Sequence, residues 1–195
     1  MPEPLHRQLS QEHPQAFAIG IHDVLTGPPY EGELGEGLLL RTDRGDIQAI
    51  LHQAPEAQYG VIWVGGARGG FGRPGQGAYA RLADVLRRDR ISSLRLCYRH
   101  PNVLPECALD VMAGIAYLTH GHVQPVVLVG HSFGGAVVMT AGALHAHGLC
   151  RKIAFSRQNP KVVCWKINDL RVQTFLFSVI CDRAKNPATR RSTGL

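Results

Sequence analysis

Lysine is missing from the first 148 residues of this 195-residue chain, and glycine is almost missing from the remainder. Of the 22 glycines, only Gly194 lies beyond residue 149. Residues 149–195 carry ten basic and two acidic residues, a net charge of +8, and residues 1–148 carry −2, which together give +6. This switch in composition divides the chain into a body, 1–148, and a basic tail, 149–195.

Two interpretations of the basic tail are open. The tail is either a segment that binds nucleic acid or another acidic surface, or a segment of separate origin, such as an alternative exon, an unspliced intron or a shifted reading frame. It contains strand-like apolar runs at 161–167 and 172–180 and has no RNA-binding signature. These features favour the second interpretation, so nucleic acid is not an expected partner.

Long apolar runs, paired cysteines and the pattern of a secretory signal are also missing. The longest nearly apolar run, 175–181, is far short of the roughly 20 residues that a bilayer-spanning helix needs. The five cysteines are odd in number and form no C-x-x-C pair, which argues against a disulfide scaffold or a zinc site. The first residues lack a basic stretch followed by an apolar one. We therefore expect a cytoplasmic protein with no membrane partner and no bound metal.

The pattern of strands and helices predicts an α/β fold. Residues 1–34 show no sustained periodicity and are expected to form an irregular lead before a core at 35–148. The core begins with an antiparallel hairpin and continues with strands that alternate with helices, which predicts a mostly parallel sheet with flanking helices. The predicted strands are 37–42, 47–52, 61–64, 93–98 and 123–129, and the predicted helices are 78–88, 105–118 and 135–144.

A G-x-S-x-G pattern joins the last predicted strand of the core to its last helix. In a strand–turn–helix context, this spacing places a serine on a strained elbow with its hydroxyl above the edge of the sheet. Gly130 and Gly134 stand two positions before and after Ser132, where a side chain would make strand and helix collide. A plain Gly–Ser turn is the alternative, but the flanking elements favour a nucleophile position at Ser132.

The glycine-rich loop at 65–77 has rival interpretations. It is not a Walker A loop, because that motif needs a lysine. Residues 70–75 match G-x-G-x-x-G, but a dinucleotide site also needs an acidic residue at the end of the next strand. That strand ends in Cys97-Tyr98-Arg99, without an acid. A nucleotide cofactor is therefore not expected.

The hairpin, the glycine-rich loop after a strand and the G-H-S-F-G-G elbow together resemble the N-terminal half of the α/β-hydrolase superfamily, in particular its dienelactone-hydrolase-like and esterase-like members. The resemblance covers about residues 37–148. It implies that Ser132 attacks the carbonyl carbon of an ester, thioester or lactone, a small acyl substrate, without cofactor or metal. It also implies an oxyanion hole formed by the backbone N–H of Phe133 and that of Gly66 or Ala67.

The acid and base of a catalytic triad are not evident. In the superfamily the order is serine, then acid, then histidine. After Ser132 the histidines are only His145 and His147, too close along the helix to fold back over the serine. His100 is the substitute base that the sequence offers, and Asp182 is the corresponding acid.

Three hypotheses of function follow from the incomplete triad. The chain is a serine hydrolase with weak or no activity; or a non-catalytic pseudoenzyme or splice or frameshift product that acts by binding; or an interaction module led by the basic tail. A core that ended at residue 148 would also leave strand 126–129 as an uncovered apolar edge, liable to self-association.

Overall fold

A computed structural model describes residues 18–71, 77–123, 125–144, 150–155 and 163–164. In these ranges the chain forms an eight-stranded sheet with helices on both faces. The strands are β1 (Ile21–Gly27), β2 (Glu36–Thr42), β3 (Gly45–His52), β4 (Tyr59–Val64), β5 (Ile91–Leu96), β6 (Val126–His131), β7 (Cys150–Phe155) and β8 (Val163–Cys164), and the helices are α1 (Ala78–Leu86), α2 (Leu104–His120) and α3 (Phe133–Leu144).

The predicted α/β fold with flanking helices is confirmed, and its sheet is mixed. Its order is β1-β2-β3-β5-β4-β6-β7-β8. Among the described strands, the pairs β4–β5, β4–β6 and β6–β7 are parallel, and the other four pairs are antiparallel. The predicted hairpin is confirmed as β2 and β3. The parallel character was overestimated because β1 extends the hairpin and β3 pairs antiparallel with β5, two non-local pairings that hydrophobic periodicity does not report.

Strand β1 lies inside the region that the sequence predicts to be an irregular lead, so this expectation is wrong for residues 21–27. The strand forms by antiparallel pairing with β2, and the Gly20 N–H donates to the Asp43 carboxylate at 2.9 Å. Only Ile21 and Val24 are partly buried along it. An edge strand with so few inward residues leaves no clear alternation in the sequence.

Two apolar clusters hold the helices against the sheet. One lies between the sheet and the helices α2 and α3, and the other lies under α1. Close approach of α2 depends on Gly114, because a Cβ there would lie 2.8 Å from Leu96 Cδ1. Pro105 stands in the first turn of α2, where its missing N–H costs no hydrogen bond. The second helix thus begins where the sequence predicts.

The edge of β6 that the sequence predicts to be uncovered is paired. Residues 150–155 form β7, which runs parallel to β6 from Val126 to His131. Strand β8 lies inside the predicted run 161–167, whereas the run 172–180 lies outside the described residues. Backbone pairing needs no particular side chains, which is why β7 could form at a position without a clear strand pattern. Within the described part of the chain, no helix is long and apolar enough to cross a membrane.

Candidate active site

Three parallel strands end at the same edge of the sheet and place their following loops side by side. Gly65 and Gly66 follow β4, Tyr98 follows β5, and Ser132 follows β6. In open α/β sheets, ligands bind in the crevice beyond the carboxyl ends of the strands. The predicted nucleophile and the predicted glycine loop therefore meet at the edge where chemistry is expected.

The backbone of Ser132 is strained. Its φ is +58°, in the left-handed region that L-residues rarely adopt. Ser132 is exposed at the turn between β6 and α3, and its carbonyl oxygen accepts a hydrogen bond from the Gly135 N–H at 2.9 Å. A strained serine between a buried strand and a helix is the geometry of a nucleophile elbow.

Gly130 and Gly134 are required by close backbone packing around the elbow. A Cβ on Gly130 would lie 2.1 Å from the Gly134 carbonyl oxygen. A Cβ on Gly134 would lie 2.3 Å from the Gly65 carbonyl oxygen. Both distances are far below van der Waals contact with rigid backbone. The prediction that neither position tolerates a side chain is confirmed, and the second clash shows that α3 begins directly against the β4 loop.

Gly66 and Phe133, which the sequence proposes for the oxyanion hole, both adjoin the nucleophile. A Cβ on Gly66 would lie 3.9 Å from Ser132 Cβ and 3.8 Å from the His131 carbonyl oxygen. Phe133 follows Ser132 directly as the first residue of α3. Ala67, the alternative donor, is the next loop residue and is half-buried. The loop turns back after these residues, since the Gly69 N–H donates to the Gly66 carbonyl at 3.1 Å.

Tyr98 contacts both the loop after β4 and the start of α3, although no sequence motif includes it. Its side chain is buried, and its hydroxyl donates to the Gly65 carbonyl oxygen at 3.1 Å. Its ring meets the Phe133 ring edge-to-face, with centroids 6.2 Å apart. Burial strongly raises the pKa of the Tyr98 hydroxyl, so it remains a donor across the working pH range. The one available signal was an aromatic residue at the carboxyl end of a core strand.

Charged side chains anchor the loop that follows Tyr98. The Arg99 guanidinium bonds the fully buried Asp110 carboxylate of α2, and the Arg99 backbone N–H donates to the same carboxylate at 2.9 Å. A second carboxylate, Glu106, is 3.1 Å from Arg99 and also pairs with Arg44 in the β2–β3 turn. The Arg44 hydrogen bond holds the pKa of Glu106 below its ordinary value. The loop after β5 is thereby fixed to both α2 and the hairpin.

The candidate acid and base are not brought to the serine by the described residues. His100 is exposed in the loop after β5, and its carbonyl oxygen accepts from the Val103 N–H at 3.2 Å. Asp182 lies outside the described residues, as do His145 and His147. Within residues 18–71, 77–123 and 125–144, no hydrogen bond joins the Ser132 hydroxyl to a histidine or a carboxylate.

Cys97, the residue directly after β5, lies in surroundings that do not favour a thiolate. Burial raises the pKa of its thiol, although the Gly70 backbone N–H opposes this shift. A thiol needs a lowered pKa to act as a nucleophile near neutral pH. Among the described residues no group of three or more histidine, cysteine, aspartate or glutamate side chains could hold a metal ion.

The strand order, the helices on both faces and the strained serine between β6 and α3 define an α/β fold over the described residues. No protein-family model matches the chain, and no curated protein matches it. Among solved structures it is similar to Est1E from Butyrivibrio proteoclasticus at 22% identity, with a TM-score of 0.48, over 56% of this chain and 46% of that one.

Two further solved structures are similar to the chain. For dienelactone hydrolase from Anabaena variabilis, the identity is 16% and the TM-score 0.49, over 69% of this chain and 62% of that one. For a cold-adapted esterase from an Arctic intertidal metagenomic library, the identity is 14% and the TM-score 0.48, over 61% of this chain and 60% of that one. The chain thus spans less than two thirds of the length of all three proteins. The geometry of the elbow, rather than these partial likenesses, is the basis for the function considered below.

Proposed function

We propose that the described core is a serine-hydrolase-type domain that acts on a carboxylic ester, thioester or lactone through an acyl-enzyme. One observation is the basis of this proposal: Ser132 is held at φ +58° between a buried strand and a helix, with its residue exposed to solvent. Backbone strain of this kind costs of order 1–3 kcal/mol and is concentrated at functional sites.

In the proposed reaction the Ser132 Oγ attacks the carbonyl carbon of the substrate. The Oγ–C bond forms, the carbonyl π pair moves onto oxygen, and the hydroxyl proton passes to a base. The N–H groups of Phe133 and of Gly66 or Ala67 hold the oxyanion, and each donor is worth roughly 3–4 kcal/mol in the transition state. Collapse expels the alcohol, thiol or ring oxygen, which takes up a proton, and water then hydrolyses the acyl-enzyme by the same steps.

The general base is the least well supported component of the proposed site. His100 is the one proposed base in the described residues, at the same sheet edge as Ser132 but exposed. Where a serine and its base act as a unit, loss of the base lowers turnover by about 10⁶. We therefore infer that activity is weak and that water or His100 accepts the proton, with Asp182 as the proposed acid.

Fluorophosphonate labelling tests the proposal because it reports serine nucleophilicity without a complete catalytic cycle. In this reaction the Ser132 Oγ–P bond forms, fluoride leaves with the P–F pair and the hydroxyl proton passes to the base or to water. We expect labelling of the purified chain that Ser132→Ala abolishes. A short-chain aryl ester assayed in parallel should be hydrolysed by the parent chain and not by Ser132→Ala.

The matched control is Thr119→Ala, because the Thr119 hydroxyl bonds only backbone carbonyls of its own helix, at 2.9 Å for Ile115. This variant should label like the parent chain. A folded, monodisperse protein that does not label, or labelling that persists in Ser132→Ala, would contradict the proposal. In labelled protein, His100→Ala then decides whether His100 is the base, since a base contributes typically 10²–10⁴-fold.

A second candidate function is binding without catalysis. It is favoured by the observation that, within the described ranges, the Ser132 hydroxyl bonds neither a histidine nor a carboxylate. In that case an ester analogue would bind at the crevice beside Ser132 while fluorophosphonate failed to react. Calorimetric titration with a non-hydrolysable ketone analogue separates the two functions.

A further inference from the structure

We propose that Tyr98 is a positioning residue that sets the oxyanion hole by orienting the peptide between Gly65 and Gly66. This inference rests on the proposed function, since it concerns the N–H group that would receive the oxyanion. Its structural basis is independent of the nucleophile: a buried hydroxyl, one hydrogen bond and one aromatic contact.

The Tyr98 hydrogen bond fixes the orientation of one peptide unit. The Tyr98 hydroxyl donates to the Gly65 carbonyl oxygen at 3.1 Å. In a planar trans peptide the carbonyl and the following N–H point in opposite directions. Holding the Gly65 carbonyl toward Tyr98 therefore directs the Gly66 N–H to the other side. Gly66 adjoins the nucleophile, because a Cβ on it would lie 3.9 Å from Ser132 Cβ.

The loop after β4 needs such a restraint. Residues 65 and 66 are both glycine, the residue with the greatest backbone freedom. Without a fixed partner, the peptide plane between them could rotate and turn the Gly66 N–H away from the substrate. On its other side the Gly65 oxygen packs against the start of α3, where a Cβ on Gly134 would lie 2.3 Å from it.

The Tyr98 hydrogen bond also polarises the peptide between Gly65 and Gly66. Hydrogen bonds in a chain polarise one another, so a donor at the Gly65 carbonyl makes the Gly66 N–H of the same peptide a stronger donor. Tyr98 also contacts the side chain of the residue proposed as the other donor, since its ring meets the Phe133 ring edge-to-face. Arg99, the next residue, is tied through its backbone N–H to buried Asp110 at 2.9 Å, which fixes Tyr98 along the chain.

Tyr98→Phe tests the inference because it keeps the ring and its contact with Phe133 and removes only the hydroxyl. Loss of a whole oxyanion donor lowers kcat by about 10²–10³. Misorientation of one donor should slow fluorophosphonate labelling and lower ester kcat by about tenfold to a hundredfold, with KM changed less than about twofold. The Gly66 amide resonance should shift in the same variant.

The matched control is Tyr117→Phe, the same change at a half-buried tyrosine near the C-terminal end of α2, away from Gly65. It should label at the parental rate and leave the Gly66 resonance in place. A thermal unfolding curve of each variant comes first. If Tyr98→Phe does not fold, 3-fluorotyrosine at position 98 keeps the hydroxyl as a stronger donor, and the Gly66 resonance should then move.

The outcomes separate this inference from the proposed function. Parental labelling rates in folded Tyr98→Phe, or equal losses in both tyrosine variants, would overturn the role of Tyr98 and leave the proposed function intact. An unmoved Gly66 resonance with the altered tyrosine would overturn it as well. An inert parent chain, without any labelling that depends on Ser132, would overturn the proposed function and this inference together.

Discussion

At the scale of single residues, Ser132 is held against its own backbone preference. A φ of +58° places its Cβ close to the following carbonyl, which costs an L-residue roughly 1–2 kcal/mol. The conformation persists because a buried strand leads into it and a helix leads away from it. The conformation of Ser132 is therefore imposed by its surroundings, and the hydroxyl is held where it reaches solvent.

Comparing Ser132→Gly with Ser132→Ala should reveal this strain. Both variants lack the hydroxyl, but only alanine keeps a Cβ at positive φ, so we expect the glycine variant to be more stable by about 1 kcal/mol. Urea unfolding measures the difference. At Ala136, exposed within α3, the same change to glycine should instead destabilise by about 1 kcal/mol. Equal stability of the two Ser132 variants would mean that the elbow relaxes.

At the scale of elements, the site depends on how closely α3 approaches β6 and the loop after β4. Contact is made backbone to backbone through Gly130 and Gly134. Packing this close holds the start of α3, with Phe133 as its first residue, beside the loop after β4. Small residues along α3 extend the close packing beyond the elbow, as in Ala141, which is fully buried.

Alanine at Gly130 or Gly134 should each destabilise the fold by at least about 3 kcal/mol. The added Cβ would lie 2.1 or 2.3 Å from a carbonyl oxygen, and no flexible side chain can move to make room. Gly27→Ala is the matched control, since nothing lies within 4 Å of its Cβ, and it should change stability by less than about 0.5 kcal/mol. Chemical denaturation ranks the three variants, and a parental midpoint for Gly134→Ala would refute the packing argument.

At the scale of the whole molecule, charged and polar groups are buried around the pairing of β3 with β5, where the hairpin joins the rest of the sheet. Arg95 is 1% exposed and pairs with Glu33 at 2.7 Å, and Arg99 pairs with buried Asp110. His52 is buried where β3 meets β5, opposite Ser93. Buried charges and imidazoles make stability depend on pH, because they bind protons differently in the folded and unfolded chain.

Stability should fall as the pH drops from about 6.5 to about 4. Burial lowers the pKa of His52 to about 4, with Arg95 and Arg87 adding to the shift and Asp84 and Glu33 opposing it. The unfolded imidazole, with a pKa of about 6.5, binds its proton first and draws the equilibrium toward unfolding. The loss is on the order of 3 kcal/mol and is absent above that window.

His52→Gln should remove this slope, whereas His120→Gln, at an exposed position on α2, should leave it unchanged. The measurement is the free energy of unfolding in urea at pH 4 to 8. If the free energy of unfolding of His52→Gln still falls between pH 6.5 and pH 4, groups other than His52 cause the pH dependence. Glu106 affects stability at more acidic pH than an ordinary glutamate does, because the Arg44 guanidinium holds its pKa below the ordinary value.

The elements set by short-range pattern were predictable from the sequence. Strands β2 to β6 and the three helices of the described ranges lie where hydrophobic runs, proline and glycine place them, to within a few residues. The elbow was predictable for the same reason, since five consecutive residues, 130–134, contain both the strained serine and the glycines that its turn requires. Local propensity and local steric effects act between residues that are close in sequence, so a short stretch of sequence is enough to predict their result.

The remaining features depend on residues far apart in the chain. Strand β1, the antiparallel pair β3–β5 and the pairing of β7 with β6 have no signature of their own, because backbone hydrogen bonds accept almost any side chain. Tyr98 meets the Gly65 carbonyl across 33 positions of sequence. By itself the sequence determined the elbow and the order of the elements from β2 to α3, because those are local. Only the tertiary structure decided which residues surround Ser132, because that depends on which strand lies beside which.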